Sequence, residues 1–168
     1  MTPAEIVSRL PREKIEEILS ELNSGQYKAV LRAGGLSTKV PSACVLQKAR
    51  RRIWSKRIRE GLGSGREALA SELLYQWLLF HRRQMLMDYL DGLGVSHVRG
   101  ETEETFTKTV PPGKLTERAF ELMKEHDARD VAIYVLFLDH HQESDVFAEQ
   151  DRILQALGSS SPPSTEGS

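Results

Sequence analysis

Apolar residues recur along this chain at three- and four-residue steps, the spacing that lines one face of a helix. Ile15, Ile18, Leu19 and Leu22 follow that step, as do Leu115, Ala119, Leu122 and Met123. Thr2, Pro3 and Glu5 open a first helix: the Thr oxygen can cap an orphan amide, Pro fits the first turn, and Glu5 stands where a capping box needs it. This helix is expected to stop at Leu10, and Pro11 to open a second that ends near "NSG", residues 23–25. The stretch 26–42, "QYKAVLRAGGLSTKVPS", reads as a short helix or turn followed by loop. A further helix over about 42–62 closes at "GLGSG", after which Ser64 and Glu67 form the capping box of the next.

That next segment is the most apolar of the chain. Leu69, Leu73, Leu74, Trp77, Leu78, Leu79, Phe80, Met85, Leu86, Tyr89 and Leu90 wrap most of a helix running from Arg66 to Asp91, so it is expected to be packed on several sides. Gly92 or Gly94 should end it. The polar stretch "SHVRGETEETFTKTVPPG" then reads as an extended loop that pairs briefly as strand around Thr105 to Val110. A helix over 114–126 follows. The run "VAIYVLFL", residues 131–138, fits a buried strand or a buried helix. Helix is preferred, because Asp127 can cap it and no other convincing strand is there to pair with it. Phe147, Ile153, Leu154 and Leu157 mark a last short helix, and "GSSSPPSTEGS" is a low-complexity tail expected to be disordered. The fold class is therefore all-α, an irregular bundle of about six helices around one central hydrophobic helix, with a single domain over 1–157 and a tail over 158–168.

Composition agrees with one globular domain: 168 residues, 39% hydrophobic and 28% charged. The single Cys44 excludes an internal disulfide framework or a clustered thiolate metal site. The N-terminus carries acids and lacks an apolar signal core, and the longest uncharged run near the middle, Leu73 to Phe80, is too short for a bilayer. A cytoplasmic protein is the default expectation. The net charge of -1 conceals a division. Residues 1–85 carry 16 Lys and Arg against 8 Asp and Glu, while residues 86–168 carry 7 against 16. An acidic partner for the first half would explain this, and so would mutual attraction of the two halves.

Charge is densest in "QKARRRIWSKRIREGL", residues 47–62, which holds seven cations between Lys48 and Arg59 and no acid among them. On a helix, Lys48, Arg52, Lys56 and Arg59 fall within an arc of about 80° and span about 16 Å along one edge. Leu46, Ala49, Ile53, Trp54, Ile58 and Leu62 lie on the rest, anchoring the helix. Cations so close repel, so counter-charge is expected from phosphates, from a partner's carboxylates, or from the chain's own acids at Glu101, Glu103, Glu104 or in the last helix. Lys48, Arg51, Arg52, Lys56 and Arg59 are thus candidate contacts to nucleic acid or an acidic protein surface, with Trp54 a candidate stacking platform. A second copy of the chain, pairing its acidic half with this basic one, is a further candidate partner.

"LFLDHHQ" resembles the motif of the DHH phosphoesterase superfamily, in which a strand delivers Asp and His side chains to a two-metal site. The resemblance covers Asp139, His140, His141 and the apolar run before them, and implies metal-dependent phosphoester cleavage. No Asp-rich metal loop stands upstream, and on a helix the three side chains would diverge. The bland alternative is a solvated helix end. "LPREKIEEILSEL" resembles the opening of an F-box, but the positions that should follow are missing after Gly25. "AGGLSTK" lacks the Lys-hydroxyl order of a phosphate loop. No nucleophile with a base and an orienting partner can be named, so the reading is of a non-catalytic interaction module without a cofactor.

Overall fold

The structure, a computed structural model, describes residues 1–43, 46–102 and 105–158. Among these, the chain forms nine α-helices and no sheet: α1 (Pro3–Arg9), α2 (Arg12–Glu21), α3 (Ser24–Ala33), α4 (Gln47–Gly63), α5 (Glu67–His81), α6 (Arg83–Leu93), α7 (Pro112–Glu125), α8 (Ala128–His141) and α9 (Asp151–Gly158). The helix count is higher than six for two local reasons. The "NSG" follows the end of α2 as expected and is also a start: the Asn23 side chain accepts from the Gln26 amide while the Gln26 side-chain oxygen accepts from the Asn23 amide, so a capping box opens α3. The long central helix is also broken, at Arg82, whose backbone leaves helical geometry at φ -124°.

That break is tied to what Arg82 does. Its guanidinium turns inward to Asp130 at the start of α8 (2.5 Å) and to Glu21 (3.2 Å) and Glu17 (2.8 Å) on α2. Lys14, 4% exposed, meets the other oxygen of Asp130 at 2.5 Å. The two cations lie against the Trp77 ring, 4.6 and 5.0 Å from its centroid, and the indole N–H donates to Glu21 at 2.6 Å. Burial alone would raise the Glu21 carboxyl, but the Trp77 N–H and the Arg82 charge outweigh it and hold it below its ordinary value. Asp130 is an acid of the second half that pairs with two cations of the first, Lys14 and Arg82.

The run 131–138 is helix, capped by Asp127 on the amides of Arg129 and Asp130. Every residue from Asp130 to Asp139 is buried, so α8 shares the centre of the bundle with α5. α1 packs against both. The apolar core extends from Ile6 in α1 to Leu157 in α9. The expected strand around Thr105 to Val110 is instead a 3₁₀ turn at Phe106–Lys108, with buried Phe106 as its anchor. The expected end of the central segment holds: Gly94 closes α6 in the left-handed region at φ 69°. The Ser64 side chain bonds back to Gly61 and does not cap α5, and Glu67 accepts instead from the Ala4 amide. The tail from 159, Cys44, Glu103 and Glu104 lie outside the described residues. No helix among the described residues is long and apolar enough to cross a membrane.

Candidate nucleic-acid interface

α4 is a 17-residue helix whose buried side carries Trp54, Ile58 and Gly61. Trp54 is 3% exposed, its ring tilted against Tyr27 at 6.0 Å and its N–H donating to the Thr38 carbonyl at 3.0 Å. A base cannot stack on it. Its expected role as a platform is therefore corrected: the indole is an anchor that, like any large buried side chain, contributes about 1.5–3 kcal/mol of burial.

Two arginines join that anchoring. Arg51 donates to the carbonyls of Ser20 (3.0 Å) and Leu22 (2.7 Å), the orphan acceptors at the end of α2, and lies over the Tyr27 ring. Arg57 donates to the carbonyls of Ser37 (2.8 Å) and Lys39 (2.5 Å), tying down the loop between α3 and α4. Both spend their donors on the chain's own backbone. Arg59 is occupied differently, holding both oxygens of Glu16 at 2.8 and 2.9 Å.

The outer edge is different. Lys48 and Arg52 are exposed and make no hydrogen bond or ion pair among the described residues. Lys56 is exposed and reaches only Glu60, at 3.9 Å on its own helix. Such a contact between two solvated side chains is weak. One turn separates each of the three from the next, about 6 Å of rise, so they form a short row on a helix fixed from behind. Among the described residues, no acid of the second half pairs with this row. α4 packs chiefly against α3, α1 and α5, all from the first half, and Glu101 is engaged elsewhere, accepting from the Tyr75 hydroxyl.

The basic surface is wider than the row. Residues 24–63, which span α3, its loop and α4, hold ten Lys and Arg and a single acid, Glu60. Lys28, Arg32 and Lys39 are exposed members that the pattern of α4 alone did not single out. Counting charge over the whole α3–α4 hairpin would have found them.

Asp139, His140 and His141 have separate jobs. Asp139 is 1% exposed, and its carboxylate accepts from the Ser144 hydroxyl and from the amides of Val146 (3.0 Å), Phe147 (3.1 Å) and Ala148 (3.1 Å), holding the loop before α9. The Nδ1–H of His141 donates to the Phe137 carbonyl of its own helix at 3.0 Å, and His140 points to solvent. Among the described residues no three His, Cys, Asp or Glu side chains gather as metal ligands would.

The class these features define is an all-helical bundle with a solvent-facing basic hairpin. No protein-family model, curated protein or solved structure matches the chain.

Proposed function

We propose that this chain is a non-catalytic helical module that binds the phosphate backbone of nucleic acid through Lys48, Arg52 and Lys56 on α4. The observation that carries the reading is the division of labour on that helix. Arg51, Arg57 and Trp54 lock it to the bundle, while among the described residues the row on its outer edge pairs with no acid other than Glu60. A rigid helix presents those cations without an ordering step on binding, and a row of point charges along one edge matches the regular charge of a phosphate backbone.

An acidic protein surface is less well suited. Protein partners bury an apolar centre, and beside the row only Leu46 is a large exposed apolar residue among those described. One such residue is ordinary for any surface. Binding should accordingly tolerate changes of sequence and weaken as salt rises.

Fluorescence anisotropy of labelled single-stranded and duplex DNA and RNA tests this, at low salt and at about 150 mM, with wild type and an Arg52→Glu, Lys56→Glu variant. The expected result is binding at low salt that the folded variant loses. Absence of binding by wild type at low salt would overturn it. The acidic half of a second copy, or an acidic protein, would then be the occupant to seek.

A further inference from the structure

Away from the basic hairpin, α5, α6, α8 and the 98–102 segment enclose a cavity of about 300 Å³, at the small end of the range that holds small-molecule ligands. Its walls are apolar, with Leu79, Leu86 and Phe137 among them. Polar side chains interrupt them, Thr102, Thr105, His141 and Gln142 among them, and two bear most on what the cavity would take. The first is Tyr134, which lines the cavity at 5% exposure. Its ring meets Tyr89 edge-on at 5.4 Å, but its hydroxyl makes no hydrogen bond among the described residues. Burial pushes this phenol up, so it stays protonated and keeps a donor to offer. A hydroxyl without a protein partner on a residue that lines a ligand-sized space marks where an acceptor belongs.

The second group is Glu101 at the rim. It is held there by a tight turn: Val98 and Glu101 exchange backbone bonds of 2.8 and 3.1 Å, and Arg99 and Gly100 take positive φ of 54° and 89°. The Gly100 amide donates to His97 Nδ1 at 3.2 Å, and His97 Nε2 in turn meets Asp91 at 3.0 Å. Gly100 also packs so closely on Leu86 that an added Cβ would stand 3.1 Å from the Leu86 Cβ. The Tyr75 hydroxyl donates to one Glu101 oxygen at 3.1 Å. No cation pairs with this carboxylate among the described residues, and its remaining acceptor sites stay open.

We propose that this cavity binds a small amphipathic amine: an aromatic or alicyclic body carrying a hydrogen-bond acceptor for the Tyr134 hydroxyl and an ammonium group for Glu101 at the rim. The walls supply the affinity of burial, and the two polar groups fix which end of the ligand enters first. This site is independent of the basic row and of what that row binds.

Titration of the full chain with tyramine, 2-phenylethylamine and 4-ethylphenol, followed by amide chemical shifts, tests the proposal. Tyramine offers both groups, 2-phenylethylamine lacks the acceptor, and 4-ethylphenol lacks the ammonium. The expected result is that tyramine binds tightest and shifts Gly100, Glu101 and Phe137, with each simpler probe weaker by about two- to tenfold. Tyr134→Phe should erase the advantage of tyramine over 2-phenylethylamine, and Glu101→Gln its advantage over 4-ethylphenol. Both substitutions are near in shape to the native residues, and unchanged amide dispersion verifies the fold. Three results would each overturn the proposal: no shifts up to the solubility of the probes, equal affinity for all three, or an order that neither substitution changes.

Discussion

Two groups of cations in this molecule meet opposite fates. Lys14 and Arg82 lie within the bundle, and each has acids within 3 Å: Asp130 and Glu17 for both, with Glu21 at 3.2 Å from Arg82. Lys48, Arg52 and Lys56 lie on the outer edge of α4, and among the described residues only Lys56 has a carboxylate, Glu60 at 3.9 Å. The contrast shows what the fold does when it needs a positive charge. It desolvates the charge, flanks it with carboxylates and packs it on Trp77. α4 repeats this logic on its inner side, where Arg51 and Arg57 are bound by carbonyls, and abandons it on the outer one.

The sharpest way to break the comparison is at its buried end. Asp130→Ala removes the most buried acid of the cluster and leaves Glu17 and Glu21 as the counter-charges of Lys14 and Arg82, and removing one partner of a buried ion pair costs about 3–5 kcal/mol. Urea unfolding should show that loss; a change below about 1 kcal/mol would mean that the cluster is solvated and the contrast overstated. Arg51→Ala is a smaller step. It frees the carbonyls of Ser20 and Leu22 at the surface end of α2, with an expected cost of about 1–2 kcal/mol in the same assay.

A pH titration sharpens the same point. Because the Glu21 carboxyl is held below its ordinary value of 4.5 in the folded state, its contribution is complete above that pH and is lost as pH falls through the lowered value. Glu21→Gln should therefore flatten the acid limb of the stability curve while leaving the alkaline limb unchanged. At the other extreme, Arg52→Glu should alter stability by less than about 0.5 kcal/mol, as befits a solvated side chain without partners. A larger loss would place Arg52 with the structural cations.

Much of the bundle was legible because caps and apolar spacing are local. Thr2 with Glu5 at α1, Asp127 at α8 and Gly94 after α6 each act as their residue types predict. What was not legible depends on partners distant in sequence. Apolar spacing runs unbroken through Arg82, and the bonds its side chain makes at the break reach Asp130, 48 residues away, and Glu17 and Glu21 on α2. α3 was obscured for a local reason, since Gly25 next to Asn23 and Ser24 reads as a turn while the return bond from Gln26 makes it a cap.

The candidate interface was legible in the same uneven way. Side-chain type and spacing identify the row of Lys48, Arg52 and Lys56, because both follow from helix geometry alone. They do not show that Arg51 faces the end of α2 or that Trp54 is sealed under Thr38, since backbone carbonyls carry no sequence signal. The cavity beside Tyr134 was equally hidden. Tyr134 sits within an apolar run that reads only as core, and Glu101 is 33 residues away from it in sequence.

The central claim is that three cations on α4 contact phosphates while their neighbours hold the fold. The most direct measurement is the salt dependence of duplex binding for wild type and for Arg52→Ala. With three phosphates neutralised, the slope of log K against log salt should be about -2.7, and removing one cation should reduce its magnitude by about 0.9. An unchanged slope, or binding that does not depend on salt, would contradict the claim and return the row to an ordinary solvated surface.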